Sequence, residues 1–127
     1  MKIIVFGGAG FIGSYVADAL SHAGHKVTVF DRQKSEYLKP NQKEIIGDIT
    51  DEVAVEKAVK GHDVVYNFAA IADINLAKDD PVNVAKVNIL GNTYVLDAAR
   101  KAKVKRFVYA SSVSVYSRFG AFIVKVN

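Results

Sequence analysis

Three glycines and one aspartate near the start of the chain have the spacing of a site for a dinucleotide. Gly7, Gly10 and Gly13 follow the apolar run 2–6, and Asp31 ends the next apolar run, 18 positions after Gly13. Such glycines let the chain turn tightly, let the backbone approach a pyrophosphate, and let the next helix pack close to the sheet. The free N–H groups at the helix start, at Phe11 and Ile12, would attract the phosphates. An ordinary glycine turn is the alternative.

The acidic residue at the end of the second run bears on which cofactor is bound. A carboxylate at Asp31 can accept hydrogen bonds from both hydroxyls of a ribose and would repel a 2′-phosphate, which favours NAD over NADP. Arg32, the next residue, weakens this preference because an arginine can accommodate that phosphate. A solvated strand end is the other interpretation of Asp31.

The elements that must position these residues alternate between apolar runs and helical patterns. This alternation is typical of an α/β protein with a doubly wound parallel sheet, the Rossmann architecture. The sequence predicts strands at 2–6, 26–31, 43–47, 63–67 and 106–110, and helices from residue 11, at 51–60 and at 81–102. The buried face of the first helix is expected to carry Ile12, Val16, Ala19, Leu20 and Ala23. The stripe along the long helix is expected to carry Val84, Val87, Gly91, Val95, Ala98 and Ala102.

Composition argues against several other functions. The 127 residues contain no cysteine, so disulfides and thiolate sites are excluded. The three histidines (His22, His25 and His62) lack metal-ligand spacing and are expected at the solvated surface, so no metal is predicted. The net charge of +4 is concentrated at 100–106, where a solvated helix end is favoured over a nucleic-acid site. No run is long enough to span a membrane, and a cytoplasmic protein is expected.

After the glycines, four further segments of the chain match known sequence motifs, and these motifs occur in the known order along the chain. They are Gly47-Asp48-Ile49-Thr50-Asp51, Asn67-Phe68-Ala69-Ala70, Asn88-Ile89-Leu90-Gly91-Asn92, and the segment 107–116 with Ser111 and Ser112. Together with the glycines, these segments resemble the N-terminal half of an extended short-chain dehydrogenase/reductase of the NAD-dependent sugar-nucleotide epimerase/dehydratase family. Asn67 stands where that family more often has His, and Asn92 stands where it usually has Thr.

The resemblance implies a strand order of 3-2-1-4-5 and assigns roles to the motif residues. Asp48, with Ile49, would contact the adenine, although a turn or capping role is the alternative. Phe68, Ala69 and Ala70 would line the cofactor, where small side chains let a flat ring approach closely; core packing is the alternative. The amide of Asn88, costly inside a helix, would tie neighbouring backbone to the nucleotide site or serve as a purely structural hydrogen bond. Ser111 would also lie at the cofactor.

Catalysis in the family needs three residues, of which this chain shows one. By resemblance, Ser112 would hydrogen-bond the reacting hydroxyl or ketone, beside a tyrosine acid/base whose pKa is lowered by a lysine four residues later. No Tyr-x-x-x-Lys follows Ser112, and on one alignment Ile123 and Asn127 occupy those positions. The expectation is a single NAD(P)-binding domain over 1–127, without a substrate domain. A nucleotide-sugar substrate is expected only if another chain completes the site.

Association with a second copy is also expected. The fifth strand would be an apolar edge, and the tail 121–126 is rich in β-branched residues and is a candidate for an additional strand. In relatives, the stripe of the long helix is used for dimerisation, so a homodimer is predicted. Three functions stay open: an epimerase/dehydratase, a non-catalytic NAD-binding module or remnant, and a structural protein that has lost its ligand.

Overall fold

The computed structural model describes residues 1–112 and shows a parallel sheet with helices on both faces. The strands are β1 (Lys2–Phe6), β2 (Lys26–Asp31), β3 (Lys43–Ile46), β4 (Val64–Asn67) and β5 (Arg106–Tyr109). Their order is β3-β2-β1-β4-β5, and all four pairings are parallel. The expected fold class and strand order are therefore confirmed, with strand ends within one residue of the predicted ones.

Within residues 1–112, five α-helices connect these strands. They are α1 (Phe11–His22), α2 (Glu52–Val59), α3 (Ile74–Asp79), α4 (Pro81–Ala85) and α5 (Asn92–Lys101). The short helix α3 was not predicted; its start is capped by Asp73, whose side chain accepts a hydrogen bond from the N–H of Asn75. No helix in residues 1–112 is long and apolar enough to cross a membrane.

The core is divided by the sheet into two clusters. Alternate residues of a strand face opposite sides, so Ile4 and Phe6 of β1 pack with α2 and α5, whereas Val5 packs with α1. The rings of Phe6 and Phe30 lie 4.6 Å apart between centroids on the α2/α5 side. Strands β1 and β2 are covered on both faces, which explains their almost continuous apolar sequences.

The buried face of α1 differs from the predicted one. Gly13, Ser14 and Ala17 are its buried residues, while Ile12 is 60% exposed. Ala19 and Ala23 are exposed as well. Val16 and Leu20 are half-buried, and Leu20 packs against the cluster around Val5, as predicted. At the start of α1 the helix lies so close to the glycine turn that a Cβ on Gly13 would lie 2.1 Å from the carbonyl oxygen of Gly7, so the buried positions there are small residues.

The predicted long helix is interrupted by a π-helical segment. Residues Lys86–Gly91 form π-helix between α4 and α5, a widening that often marks functional sites. The predicted stripe does face the core at Gly91, Val95 and Ala98. It is therefore covered by this chain's own sheet, and it cannot be the dimer surface that the sequence indicated. Ala102 lies beyond α5 and is exposed.

The expectation for His62 needs correction, and some other expectations concern residues outside the described range. His62 is half-buried rather than solvated, with its Nε2 2.9 Å from the Thr28 hydroxyl. Strand β5 is the end strand in the described part of the sheet, and its Arg106 and Tyr109 are exposed. The tail 121–126 and the positions of Ile123 and Asn127 lie outside the described residues.

Candidate nucleotide site

A cavity of about 300 Å³ lies at the carboxyl ends of the strands, where the chain order reverses across β1. Parallel α/β sheets bind ligands at this position. Four consecutive strand ends contribute to it. Of the residues predicted from the sequence, the cavity is lined by Gly7, Gly10, Asp31, Arg32, Asp48, Ile49, Phe68, Ala69 and Ala70.

The glycine turn is built by close backbone contacts. Gly7 has a φ of +72°, and a Cβ there would lie 2.6 Å from the backbone nitrogen of Ala69. A Cβ on Gly13 would lie 2.1 Å from the carbonyl oxygen of Gly7. Gly10, at the N-cap of α1, offers no side-chain acceptor, so the first N–H groups of the helix keep their capacity to bind an anion.

Asp31 connects the second strand to the glycine turn. Its Oδ2 accepts a hydrogen bond of 3.1 Å from the N–H of Ala9, and its Oδ1 accepts one of 3.2 Å from the N–H of Gln33. Each carboxylate oxygen retains a further lone pair for a ligand. Arg32 and Lys34 also line the cavity and place two cations beside this carboxylate.

Asp48 lies in a tight turn across the cavity. Its Oδ1 accepts hydrogen bonds from the N–H and the hydroxyl of Thr50 at 2.8 and 2.7 Å. These bonds hold the pKa of Asp48 below its ordinary value, and the charge of Arg32 acts in the same direction. The cap of α2 is instead Asp51. The turn role considered for Asp48 is therefore present in the structure, and its side chain also faces the cavity.

The cavity wall next to the glycine turn, at Ala69 and Ile71, is held by asparagine side chains. The buried Asn67 accepts a hydrogen bond of 3.1 Å from the N–H of Ala69. Asn88 bonds both backbone groups of Ile71, accepting from its N–H at 2.8 Å and donating to its carbonyl at 2.9 Å. The tie to neighbouring backbone that was proposed for Asn88 is thus observed, and Ile71 is a cavity residue.

Six predicted residues do not line the cavity. Phe11 and Ile12 are 78% and 60% exposed and stand at the start of α1, directly after Gly10 of the cavity. Gly13 supports the glycine turn and Asn88 supports the wall. Ser111 and Ser112 are exposed after the end of β5, at the same edge of the sheet.

Sequence reasoning did not assign eight of the cavity residues to the site. They are Ala9, Phe30, Gln33, Lys34, Gly47, Ile71, Asn83 and Val87. Most are sequence neighbours of the motif residues, and that adjacency was an available signal. Asn83 and Val87 enter from α4 and the π segment, and no motif indicated them.

Comparison with known proteins agrees with this geometry. Residues 3–125 match the model of the NAD dependent epimerase/dehydratase family. The chain belongs to this family. Its residues are 35% identical over 123 positions to a UDP-N-acetyl-alpha-D-glucosaminuronate decarboxylase of Bacillus cytotoxicus, covering 92% of this chain and 38% of the relative. They are also 34% identical over 119 positions to a 3-beta-hydroxysteroid dehydrogenase of Mycolicibacterium neoaurum, covering 90% of this chain and 32% of the relative.

A solved relative shows the same fold in a longer chain. The UDP-glucose 4-epimerase of Thermus thermophilus, in complex with NAD, superposes with a TM-score of 0.83 at 34% identity, over 88% of this chain and 38% of that one. The family member described here thus spans between about a third and two fifths of the length of the relatives it matches.

Proposed function

We propose that this epimerase/dehydratase-family chain binds NAD in the cavity at the carboxyl ends of its strands. One observation carries the proposal: the fold brings Gly7, Asp31, Asp48 and Ala69, from four separate segments, around a single cavity. A glycine turn for the phosphates, a carboxylate for the ribose and a small-residue wall are the parts that such a ligand needs. The NAD complex of the Thermus thermophilus relative supports the same conclusion.

Calorimetric titration with NAD and NADP tests this proposal. We expect saturable NAD binding that is stronger than NADP binding. Asp31→Asn should weaken NAD binding roughly 10- to 100-fold, the effect of losing a charged hydrogen-bond acceptor, and should narrow the preference over NADP. Glu36→Gln removes the same charge at an exposed position outside the cavity and should leave both affinities unchanged. Absence of NAD binding in the unaltered chain would contradict the proposal.

For the reaction, we propose hydride chemistry on a nucleotide sugar, carried out with residues beyond those in this chain. Ser112 is the candidate for the hydroxyl that contacts the substrate. Because no Tyr-x-x-x-Lys follows Ser112, the 127 residues alone should bind cofactor without turnover. The steroid dehydrogenase among the relatives makes a hydroxysteroid the second candidate substrate.

The two substrate classes can be separated with a chain that supplies the missing pair. With such a partner and NAD present, conversion of a UDP-sugar should be observed, with the hydride held on NAD only transiently, and conversion of a 3β-hydroxysteroid should not; the conversion should be lost in Ser112→Ala. NADH formation with the steroid alone would favour the second candidate. Turnover by the 127 residues alone would contradict the need for a partner.

We further propose that the chain forms a homodimer through the outer face of α4, the π segment and α5. This face carries Val82 and Ile89, which are 64% and 68% exposed, together with Leu90 and Leu96. Adjacent exposed apolar side chains of this kind mark interaction surfaces. The placement in the cytoplasm and the extent of the domain over 1–127 stay predictions from the sequence.

The mass in solution tests the dimer. Multi-angle light scattering should give twice the chain mass for the unaltered protein and a single chain mass for Ile89→Lys. Val53→Lys makes the same change on α2 at a residue that is 76% exposed, and should leave the dimer intact. A monomeric unaltered chain would rule the dimer out.

A further inference from the structure

The ladder of backbone hydrogen bonds ends just before the cavity wall begins. The N–H of Phe68 still bonds the carbonyl of Phe6 at 2.9 Å. The next N–H, that of Ala69, bonds a side chain, the Oδ1 of Asn67. From Ala69 onward the wall is therefore held by asparagine amides rather than by the sheet.

Those amides form one directed chain. The Nδ2 of Asn67 donates to the Oδ1 of Asn92, and the Nδ2 of Asn92 donates to the backbone carbonyl of Asn88 at 2.7 Å. Asn88 in turn bonds Ile71 through both of its amide groups. The direction of the chain is fixed by its two backbone ends, because the N–H of Ala69 can only donate and the carbonyl of Asn88 can only accept.

Because Asn67 is buried, the direction of these hydrogen bonds affects stability. Asn67 is only 1% exposed, so its amide cannot exchange a lost partner for water, and a buried unsatisfied polar group is costly. The carbonyl of Asn88 lies within the π segment, four residues before Asn92. The chain of amides thus links the π segment to the wall through a partner 25 residues away from Asn67.

We propose that Asn67 and Asn92 are a positioning pair that sets the wall at Ala69 for the cofactor. The inference rests on the proposed NAD site. The pair acts through the backbone: Asn92 orients the amide of Asn67, and Asn67 holds the N–H of Ala69. Since the turn at Gly7 packs directly against Ala69, a displaced wall also disturbs the adjacent glycine turn.

Replacing the donor group of Asn92 by an acceptor tests the proposed role of the pair. In Asn92→Asp, one oxygen can still accept from Asn67, but the other faces the carbonyl of Asn88 with no proton to donate. We expect NAD affinity to fall about tenfold or more, the effect of one unsatisfied buried group, in calorimetry at a temperature where the variant is folded. Amide hydrogen exchange measured by NMR should become faster at Ala69. Asn41→Asp, on an exposed loop, should change neither quantity.

A second variant covers the case in which Asn92→Asp does not fold. In Asn92→Thr the hydroxyl can bond the carbonyl four residues earlier but is too short to reach Asn67. This variant should fold, lose affinity and lose protection at Ala69, and adding the longer side chain of Asn67→His should recover part of both. Folded single variants with unchanged NAD affinity and unchanged protection at Ala69 would overturn the inference.

The two readouts also separate this inference from the proposed function. If the unaltered chain does not bind NAD, the proposed function fails, whereas exchange at Ala69 still reports whether the pair holds the wall. If the unaltered chain binds NAD and the variants bind equally well, only the positioning pair is excluded.

Discussion

The two walls of the cavity are held in place by opposite means. On one side, Gly7 and Gly13 allow backbone atoms to come so close that any side chain would collide. In the wall next to it, Ala69 and Ile71 are held by amide groups of Asn67 and Asn88. The first wall requires that Gly7 and Gly13 carry no Cβ atom, whereas the second requires the amide groups of Asn67 and Asn88.

This difference determines how each wall can fail. Adding an atom to the glycine turn forces the backbone apart, because closely packed interiors do not yield easily. Removing an amide from the other wall leaves a buried group without its partner, while the backbone can still take the same path. A single added side chain in the glycine wall should therefore have a large effect on NAD binding, and a single lost amide in the asparagine wall should have a smaller one.

The largest effect is expected for Gly13→Ala. Its Cβ would lie 2.1 Å from the carbonyl oxygen of Gly7, so the helix start and the turn must separate. Overpacking typically costs about 1–3 kcal/mol, and NAD binding should be abolished. Calorimetry and thermal unfolding measure the two effects.

A second glycine provides the matched control. Gly24 has a φ of +83°, but a Cβ there would meet nothing within 4 Å. Gly24→Ala should lower stability by about 1 kcal/mol, the cost of a left-handed non-glycine residue, with NAD affinity retained. Retained affinity in Gly13→Ala would show that the glycine wall does not depend on close contact.

A smaller effect is expected at His62, which lies before β4 at the opposite edge of the sheet. Burial lowers the pKa of His62 from 6.5, and the charge of Lys2 also lowers it, while the neighbouring Asp63 acts in the opposite direction. The unfolded chain therefore takes up a proton more readily. The corresponding stability is fully present above pH 6.5 and is lost as the pH falls toward the folded pKa.

Denaturant unfolding at several pH values measures this dependence. Between pH 6.5 and the region near 3.8, where aspartates begin to contribute, stability should decrease in the unaltered chain and change less in His62→Gln. NAD affinity at neutral pH should be the same in both, because His62 contacts neither wall. An equal pH dependence in the two proteins would contradict the assignment to His62.

The smallest effect is expected for the ion pairs between α2 and α5. Lys101 contacts Glu56, and it lies 2.9 Å from Asp97 and 3.8 Å from Glu52. The hydrogen bond to Glu56, followed by that to Asp97, raises the pKa of Lys101. Since these groups are exposed, water and salt weaken their attraction.

Lys101→Met should therefore lower the melting temperature slightly, and the difference should shrink as sodium chloride is added. Lys60→Met, at an exposed lysine that takes part in none of the ion pairs found in residues 1–112, serves as the control. A loss that is independent of salt would indicate that the stem of Lys101, rather than its charge, supports the packing. Neither variant should alter the cavity walls.

The sequence by itself determined the glycine wall and the positions of the strands, since both follow from local features; the strand order came from the resemblance to the family. The spacing of Gly7, Gly10 and Gly13 between a strand and a helix indicated the turn, and apolar runs located β1, β2 and β4. Asp31 was found because it ends a strand at the carboxyl edge of the sheet, whereas Asp48 was found through the resemblance of its segment to the family.

Only the tertiary structure determined how the asparagine wall is held together. Asn67, Asn88 and Asn92 each carried a local signal, but their connection crosses 17 to 25 residues and depends on the π segment, which helical periodicity does not reveal. The same holds for the orientation of α1, where the approach to Gly7 overrode the apolar pattern. Local spacing fixes what one segment can do, whereas hydrogen bonds between distant segments exist only once the sheet has brought them together.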